Sequence, residues 1–153
     1  MKTLIALFAV TALTLPVLTS AESLQFKRSS GDGYDDYTGQ ITVSGEYSRD
    51  FDDEVQGDVV CFVAKGGSAK LIPRKKGDER SPWFCFRNQK TAAQTFKINN
   101  RPANRGYCGY KGTATVTINQ YSTYTEISEG SDLAQLISAK NVSAPKQTKC
   151  ASY

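Results

Sequence analysis

The chain has 153 residues, a formal net charge of +4, four cysteines and no histidine. Without an imidazole it lacks the base that activates a serine or cysteine nucleophile in most hydrolases. It also contains no metalloprotease, nucleophile-elbow or phosphate-loop motif. Paired acids such as Asp35 and Asp36, or Asp52 and Asp53, lie in hydrophilic stretches where carboxylates are usually solvated. We therefore predict that the protein is not an enzyme and needs no cofactor or metal ion.

The amino terminus has the pattern of a secretory signal peptide. Lys2 supplies a positive charge, residues 4–18 are predominantly apolar, and Thr19-Ser20-Ala21 places small residues at a cleavage site. About 15 apolar residues fall short of the roughly 20 that a helix needs to span a bilayer, so a membrane anchor is the weaker interpretation. We predict a signal peptide over 1–21 and a single secreted or periplasmic domain over 22–153.

Residues 22–38 contain a cluster of glycine, aspartate and serine, which is typical of a loop. Residues 40–45 then alternate between polar and apolar positions and predict a half-buried strand. An acidic loop over 49–57 leads to a second strand over 58–64, rich in valine and phenylalanine, and a third follows over 81–88. The connection of about 15 residues between these two strands is long for a hairpin, which is a feature of functional or extended loops.

The second half of the chain contains a helix and the clearest strand. Residues 89–96 predict a short helix, with Ala92, Ala93 and Phe96 spaced to face a core. From Gly112 onward, alanine, valine and isoleucine alternate with threonine, which is the strongest strand pattern in the sequence. The final element, residues 131–140, fits either a helix or a strand.

All four cysteines, Cys61, Cys85, Cys108 and Cys150, lie in the predicted mature chain. An even number of cysteines in an exported protein predicts two disulfides. The lack of histidine and of a Cys-x-x-Cys pair argues against a zinc site. If the strands that carry Cys61 and Cys85 form a hairpin, one register places these cysteines opposite each other. The alternative pairs Cys85 with Cys108 and Cys61 with Cys150, so the connectivity stays open at this point.

Charge is distributed unevenly along the chain. Residues 22–58 contain three basic and ten acidic side chains, whereas residues 59–111 contain twelve basic and two acidic ones. In one interpretation the acidic and basic segments face each other or lie on solvated loops. In the other, the basic half forms a patch for an anionic partner such as a nucleic acid, a polysaccharide or a lipid headgroup. The cations of that patch would be Lys65, Lys70, Arg74, Lys75, Lys76, Arg80, Arg87 and Lys90.

The order of elements, with the helix between the third and fourth strands, resembles a small five-stranded Greek-key barrel of the OB type. The segments GQITVSG, AAQTF and KGTATVTINQY, with the Cys-Phe strand, look similar to exported OB-like domains distantly related to the tRNA-anti family. The resemblance spans about residues 38–142 and implies a mainly β fold that binds ligands on its second and third strands and adjoining loops. Together with the charge pattern, it implies ligand contacts by Lys65, Lys70, Arg74, Lys75, Lys76, Arg80, Trp83, Phe84 and Arg87.

These features predict a non-enzymatic binding module in which a basic loop over 65–90 attracts an anionic ligand, followed by contact with Trp83 and Phe84. The alternative is a protein-binding inhibitor or antagonist of a secreted enzyme, since a small rigid scaffold with an extended loop suits that role. A purely structural role in the cell envelope is the third hypothesis.

Overall fold

A computed structural model describes residues 22–54, 56–126 and 130–150, so the predicted signal peptide lies outside the described residues. Over these residues the chain is mainly β, as predicted. No helix among them is long and apolar enough to cross a bilayer. The elements are β1 (Ser23–Ser30), β2 (Tyr34–Asp50), β3 (Val60–Ala64), a 3-10 helix (Gly66–Leu71), β4 (Trp83–Phe86), α1 (Gln89–Phe96), β5 (Tyr107–Tyr124), β6 (Asp132–Lys140) and β7 (Lys146–Lys149).

Five of the strands pair in a closed ring. β2 pairs with β3, and β3 with β4, both antiparallel. β4 pairs with β6 in parallel, β6 with β5 antiparallel, and β5 returns to β2 antiparallel. β1 is added to β2 and β7 to β5. The described residues therefore form seven strands where the sequence predicted five, and both additional strands lie outside the ring.

The hydrophobic core is built by the alternating side chains of the ring strands and is closed by α1. The predicted helix is confirmed over Gln89–Phe96, and Ala92, Ala93 and Phe96 are its buried residues. Phe96 stacks on Tyr47 of β2 with ring centroids 4.4 Å apart. The helix ends at Lys97, which adopts a left-handed conformation with φ 57°. The other large, fully buried side chains are Tyr121, Phe62, Phe84, Phe86, Ile41, Ile98, Ile118, Val43, Val60 and Val116.

Three predictions of elements need correction or completion. Residues 22–38, predicted as a loop, form β1 and the start of β2. β1 is exposed along almost its whole length, so it has no apolar alternation that could reveal a strand. Residues 131–140, which fitted either a helix or a strand, form β6 from Asp132 onward. β7, which the sequence did not predict, consists of four polar residues paired along β5.

The two predicted disulfides are present, and their connectivity is Cys61–Cys85 and Cys108–Cys150. Cys61 and Cys85 are directly opposite each other in the β3–β4 pair, as the hairpin register placed them. The alternative pairing of Cys85 with Cys108 is wrong. The second disulfide joins the start of β5 to the residue after β7, so Cys150 does hold the carboxyl-terminal segment against the sheet.

Candidate ligand-binding cleft

The predicted basic loop lies between β3 and β4, and several of its cations form ion pairs with acidic side chains of the same chain. Arg74 forms an ion pair with Asp132, whose side chain is buried at the start of β6. Lys75 Nζ lies 2.7 Å from Oδ2 of Asp35, a buried residue of β2. The Lys75–Asp35 pair joins the basic segment to the acidic segment over 22–58, which supports the interpretation that the two segments face each other, whereas Asp132 lies outside both segments.

Two further cations of the predicted site are also paired. Arg80 Nη2 lies 2.7 Å from Asp78 Oδ2, and Arg80 also donates through Nη2 to the backbone carbonyl of Tyr124 at 2.8 Å. The hydrogen bond from Arg80 lowers the pKa of Asp78 to about 2. Lys65 Nζ lies 3.5 Å from Glu46 Oε2 in an exposed pair. Since four of the predicted cations are neutralised within the chain, the loop attracts anions less than its sequence suggests.

The other predicted contacts divide between the two faces of β4. Phe84 points inward: it is fully buried and stacks on Phe62, with ring centroids 5.6 Å apart. It is therefore not available to a ligand, because alternate residues of a strand face opposite sides of a sheet. Trp83 is partly exposed on the outer face, and the same alternation places Arg87, the residue after β4, on that face. The structure thus brings Trp83 and Arg87 to one surface.

Lys70 and Lys76 are exposed on the basic loop. Within residues 22–54, 56–126 and 130–150, neither side chain forms an ion pair. They remain able to contribute to long-range attraction of an anion.

A cleft of about 530 Å³ opens where the β1–β2 hairpin meets β5, β6 and the residue after β4. Its charged lining consists of three cations, Lys27, Arg28 and Arg87, and two carboxylates, Asp32 and Asp36. Only Arg87 of this group belongs to the predicted site. The cleft therefore brings Arg87 together with two cations that the sequence did not assign to the site.

The carboxylate of Asp36 connects two of these cations. Arg28 Nε lies 3.2 Å from Asp36 Oδ2, and Ser122 Oγ donates to Asp36 Oδ1 at 2.7 Å. Arg87 Nη2 in turn donates to Ser122 Oγ at 2.6 Å. The hydrogen bond from Ser122, helped by Arg28 and Arg87, lowers the pKa of Asp36 despite partial burial. Asp36 thus stays ionised and holds both guanidinium groups at the cleft.

Tyrosine rings form the aromatic part of the lining. The Tyr37 ring packs edge-on against Phe26 and against Tyr121, with centroid distances of 5.9 and 6.3 Å. Tyr34 packs against Tyr124 at 5.2 Å. Burial, followed by the proximity of Tyr124, raises the pKa of the Tyr34 phenol, which therefore remains a neutral donor at the cleft.

Strand pairing is irregular where the strands meet the cleft. The β1–β2 register shifts before Arg28, and the β2–β5 register shifts after Asp36. β5 shifts against β6 between Asn119 and Ser122, and Gln120 within this bulge has φ 46°. Bulges redirect side chains and are common next to functional sites. Three successive strand pairs, formed by β1, β2, β5 and β6, therefore depart from regular pairing beside the cleft, and each of these strands contributes to its lining.

Comparisons with protein-family models, with curated proteins and with solved structures found no match to this chain. The candidate site therefore depends on its geometry alone. Among the described residues, the one group spaced like metal ligands is Asp52 with Cys108 and Cys150, and these cysteines are joined in a disulfide. Disulfide sulfurs are not thiolates, so this group does not form a metal site.

Sequence reasoning missed the residues that β1 and β2 contribute to the cleft. Lys27 and Arg28 were counted only as the few cations of an acidic segment, and Tyr34 and Tyr37 were placed in a loop. The available signal was the adjacent pair of cations beside Phe26, followed within a few positions by two tyrosines. That pattern indicates an aromatic and basic surface only once the hairpin brings the two segments together.

Proposed function

We propose that the protein is an exported, non-enzymatic binding module with an OB-like barrel, and that its cleft binds an anionic ligand. The closed ring of five strands, with α1 between the third and fourth of them, supports the OB-like assignment. Two disulfides support export, because disulfides persist in oxidising compartments such as the periplasm and the extracellular space.

The observation that carries this proposal is the position of Arg87. It lines the cleft with Lys27 and Arg28, and the alternation of side chains along β4 places it, just after the strand, on the same side of the sheet as Trp83. Trp83 does not line the cleft, so a ligand held by Arg87 would reach its ring only by extending beyond the cleft. This arrangement keeps part of the predicted site and moves its centre from the basic loop to the cleft.

Substitution of Arg87 tests the proposal. We expect Arg87→Gln to weaken the binding of an anionic probe by about tenfold, because it removes charge-assisted hydrogen bonds. The probes are inorganic tripolyphosphate, a single-stranded oligonucleotide and polygalacturonate, measured by calorimetry at low and high salt. Arg105→Gln is the matched control, since Arg105 is exposed and lies outside the cleft. Equal affinities for the two variants, or binding that does not weaken with salt, would contradict the proposal.

A second candidate function is that of a protein-binding inhibitor or antagonist of a secreted enzyme. It is favoured by Phe26, which is 60% exposed on β1, a strand that pairs only with β2 within the described part of the chain. An exposed edge strand with an aromatic side chain suits the addition of a strand from a partner protein. This function requires one discrete protein partner and predicts weak binding to anionic probes.

A further inference from the structure

We infer that the ligand of the cleft is a carboxylated saccharide, with sugar rings of the uronic-acid type, and not a phosphate polymer. The inference deepens the proposed function and rests on it, since it names the ligand class for the same cleft. It is carried by the balance of charged groups, by the free donors of Arg87, by the aromatic lining and by the extent of the cleft.

The charged side chains that line the cleft limit how much negative charge a ligand can carry there. Asp36 is already engaged by Arg28 and Ser122, which leaves Lys27, Arg87 and Asp32 to face a ligand. Oδ1 of Asp32 accepts a hydrogen bond from Ser30 Oγ, and its charge remains exposed at the rim of the cleft. A polyphosphate or a nucleic-acid backbone carries charge on every unit and would be repelled by Asp32. A saccharide in which one uronic-acid ring adjoins a neutral ring brings a single charge to the cleft, and its hydroxyl groups can donate to the Asp32 carboxylate.

Arg87 supplies the matching group for a single carboxylate. One nitrogen of its guanidinium donates to Ser122 Oγ at 2.6 Å, and its other donors have no partner in the part of the chain that the structure describes. That contact fixes the orientation of the group and leaves its remaining N–H donors accessible. A planar fork of donors binds a carboxylate with two parallel hydrogen bonds.

The lining of the cleft also suits sugar rings. Tyr34 and Tyr37 combine an apolar ring face with a polar hydroxyl tip, which matches the apolar faces and hydroxyl edges of a sugar. The side chain of Gln120 adds an amide group, whereas the Ser30 hydroxyl is engaged within the hairpin by Asp32 and the carbonyl of Tyr34. Aromatic rings also stack on nucleobases, so it is the carboxylate of Asp32 that favours a saccharide over a nucleic acid.

The cleft continues beyond one ring. An adjoining recess of about 140 Å³ shares Lys27, Tyr37 and Gln120 with the main cleft and extends it toward Thr38 and Asn119. The main cleft alone lies within the roughly 300–1,000 Å³ typical of small-ligand sites. We therefore expect an oligosaccharide to bind more tightly than a single uronic acid.

The test uses a disaccharide of one glucuronic acid and one neutral hexose, its methyl ester, inorganic tripolyphosphate and a single-stranded oligonucleotide. Each is titrated calorimetrically into the purified, disulfide-bonded protein. We expect the acid to bind at least about tenfold more tightly than the uncharged ester, and Arg87→Gln to remove this difference, while Arg105→Gln preserves it. Asp32→Asn should raise the affinity for tripolyphosphate relative to that for the acidic disaccharide by about tenfold. The substitution removes a charge that repels a dense anion, and it also removes a carboxylate that accepts hydrogen bonds from sugar hydroxyl groups. Unchanged thermal unfolding of each variant verifies that it is folded.

The outcomes separate this inference from the proposed function. If tripolyphosphate or a single-stranded oligonucleotide binds more tightly than the acid, and does so through Arg87, the saccharide is wrong and the anion-binding cleft stands. If the ester binds as well as the acid, the carboxylate is not recognised and the inference also fails. If no probe responds to Arg87→Gln, both the saccharide and the cleft are overturned.

Discussion

A single buried carboxylate, that of Asp132, holds three parts of the chain together. It accepts hydrogen bonds from the hydroxyl of Tyr121 at 2.6 Å and from the backbone N–H of Tyr124 at 2.9 Å. It also pairs with Arg74 of the basic loop, whose Nη2 donates to the carbonyl of Ser81 at 2.9 Å. Burial, strengthened by the nearby carboxylate, raises the pKa of the Tyr121 phenol well above its usual value, so Tyr121 remains a donor.

Loss of this charge should destabilise the fold. We expect Asp132→Asn to lower the free energy of unfolding by up to about 3 kcal/mol, because it removes the nearer counter-ion of the partly buried Arg74 guanidinium and leaves only Asp78, whose Oδ2 lies 3.9 Å from Arg74 Nε. Asp58→Asn is the control, since its partner Arg49 lies at 2.6 Å but the Asp58 side chain is about half exposed. Exposed pairs contribute less than about 1 kcal/mol. Urea unfolding measures both variants, and equal losses would show that the buried network contributes no more than a surface pair.

The sequence could not identify these partners at the residue scale. It showed that the acidic and basic segments were separate along the chain, but Arg74 and Asp132 are 58 positions apart and meet only because β6 enters the ring beside β4. The same limit applies to Phe84 and Trp83. Both are aromatic neighbours in a strand with apolar residues at successive positions, so periodicity alone does not say which one faces the core.

Gly45 of β2 has almost no room for a side chain. This residue is opposite Ala64 of β3 and Ala114 of β5, so two strands approach it at once. A Cβ at this position would lie 2.0 Å from the carbonyl oxygen of Val63 and 2.8 Å from the Phe62 ring. The first of these atoms belongs to the backbone, so it cannot move without opening the β2–β3 pair.

We therefore expect Gly45→Ala to destabilise the protein by about 1–3 kcal/mol or more, as overpacking in a closed sheet does. Gly67→Ala is the matched control, because a Cβ added at Gly67 in the 3-10 helix would meet no heavy atom within 4 Å and should change stability by less than about 0.5 kcal/mol. Midpoints of urea unfolding compare the two. A Gly45→Ala variant as stable as the Gly67→Ala variant would mean that β2 and β3 separate easily at this point.

The sequence predicted those helices and strands that bury one face, because burial makes apolar residues recur at a regular spacing. The helix was predicted with its observed bounds because Ala92, Ala93 and Phe96 form one apolar face, and β5 because its apolar residues alternate with threonine. β1 and β7 lie outside the ring with both faces largely in solvent. Their sequences have no reason to alternate, so backbone pairing with a neighbour decides their structure.

At the scale of the whole molecule, the uneven charge along the sequence becomes a set of contacts between its parts. The basic loop meets the β1–β2 hairpin through Lys75 and Asp35, and it meets the start of β6 through Arg74 and Asp132. The cleft is built where the acidic hairpin brings its own two cations, Lys27 and Arg28, beside Arg87. The charge counts were consistent either with segments that face each other or with a patch for an anionic partner, and the cleft could not be located until the hairpin and its bulges were known.

Because carboxylates take part in these contacts, the free energy of unfolding depends on pH. Hydrogen bonds from Arg80, Lys75 and Ser122 lower the pKa values of Asp78, Asp35 and Asp36, respectively, and that of Asp78 falls to about 2. In the unfolded chain each of these carboxyl groups has its ordinary pKa of about 4. As the pH falls below about 5, the unfolded state therefore binds more protons than the folded state does, and the free energy of unfolding decreases. The contribution of these groups to stability is therefore complete above about pH 5 and is lost as the pH falls toward 2.

We expect the urea midpoint of the protein to be nearly constant from pH 7 to pH 5 and to fall steeply below pH 4. The Asp78–Arg80 pair should account for on the order of 1 kcal/mol of that fall, since Asp78 is largely buried but not fully removed from solvent. Asp78→Asn should therefore be less stable at pH 7 and should lose less stability between pH 5 and pH 2.5. Arg80→Gln should flatten the profile in the same way, because it removes the other half of the pair. If both variants instead follow the wild-type profile in parallel, the loop is held by interactions that do not titrate, and its many ion pairs are a consequence of the fold and not a cause of its stability.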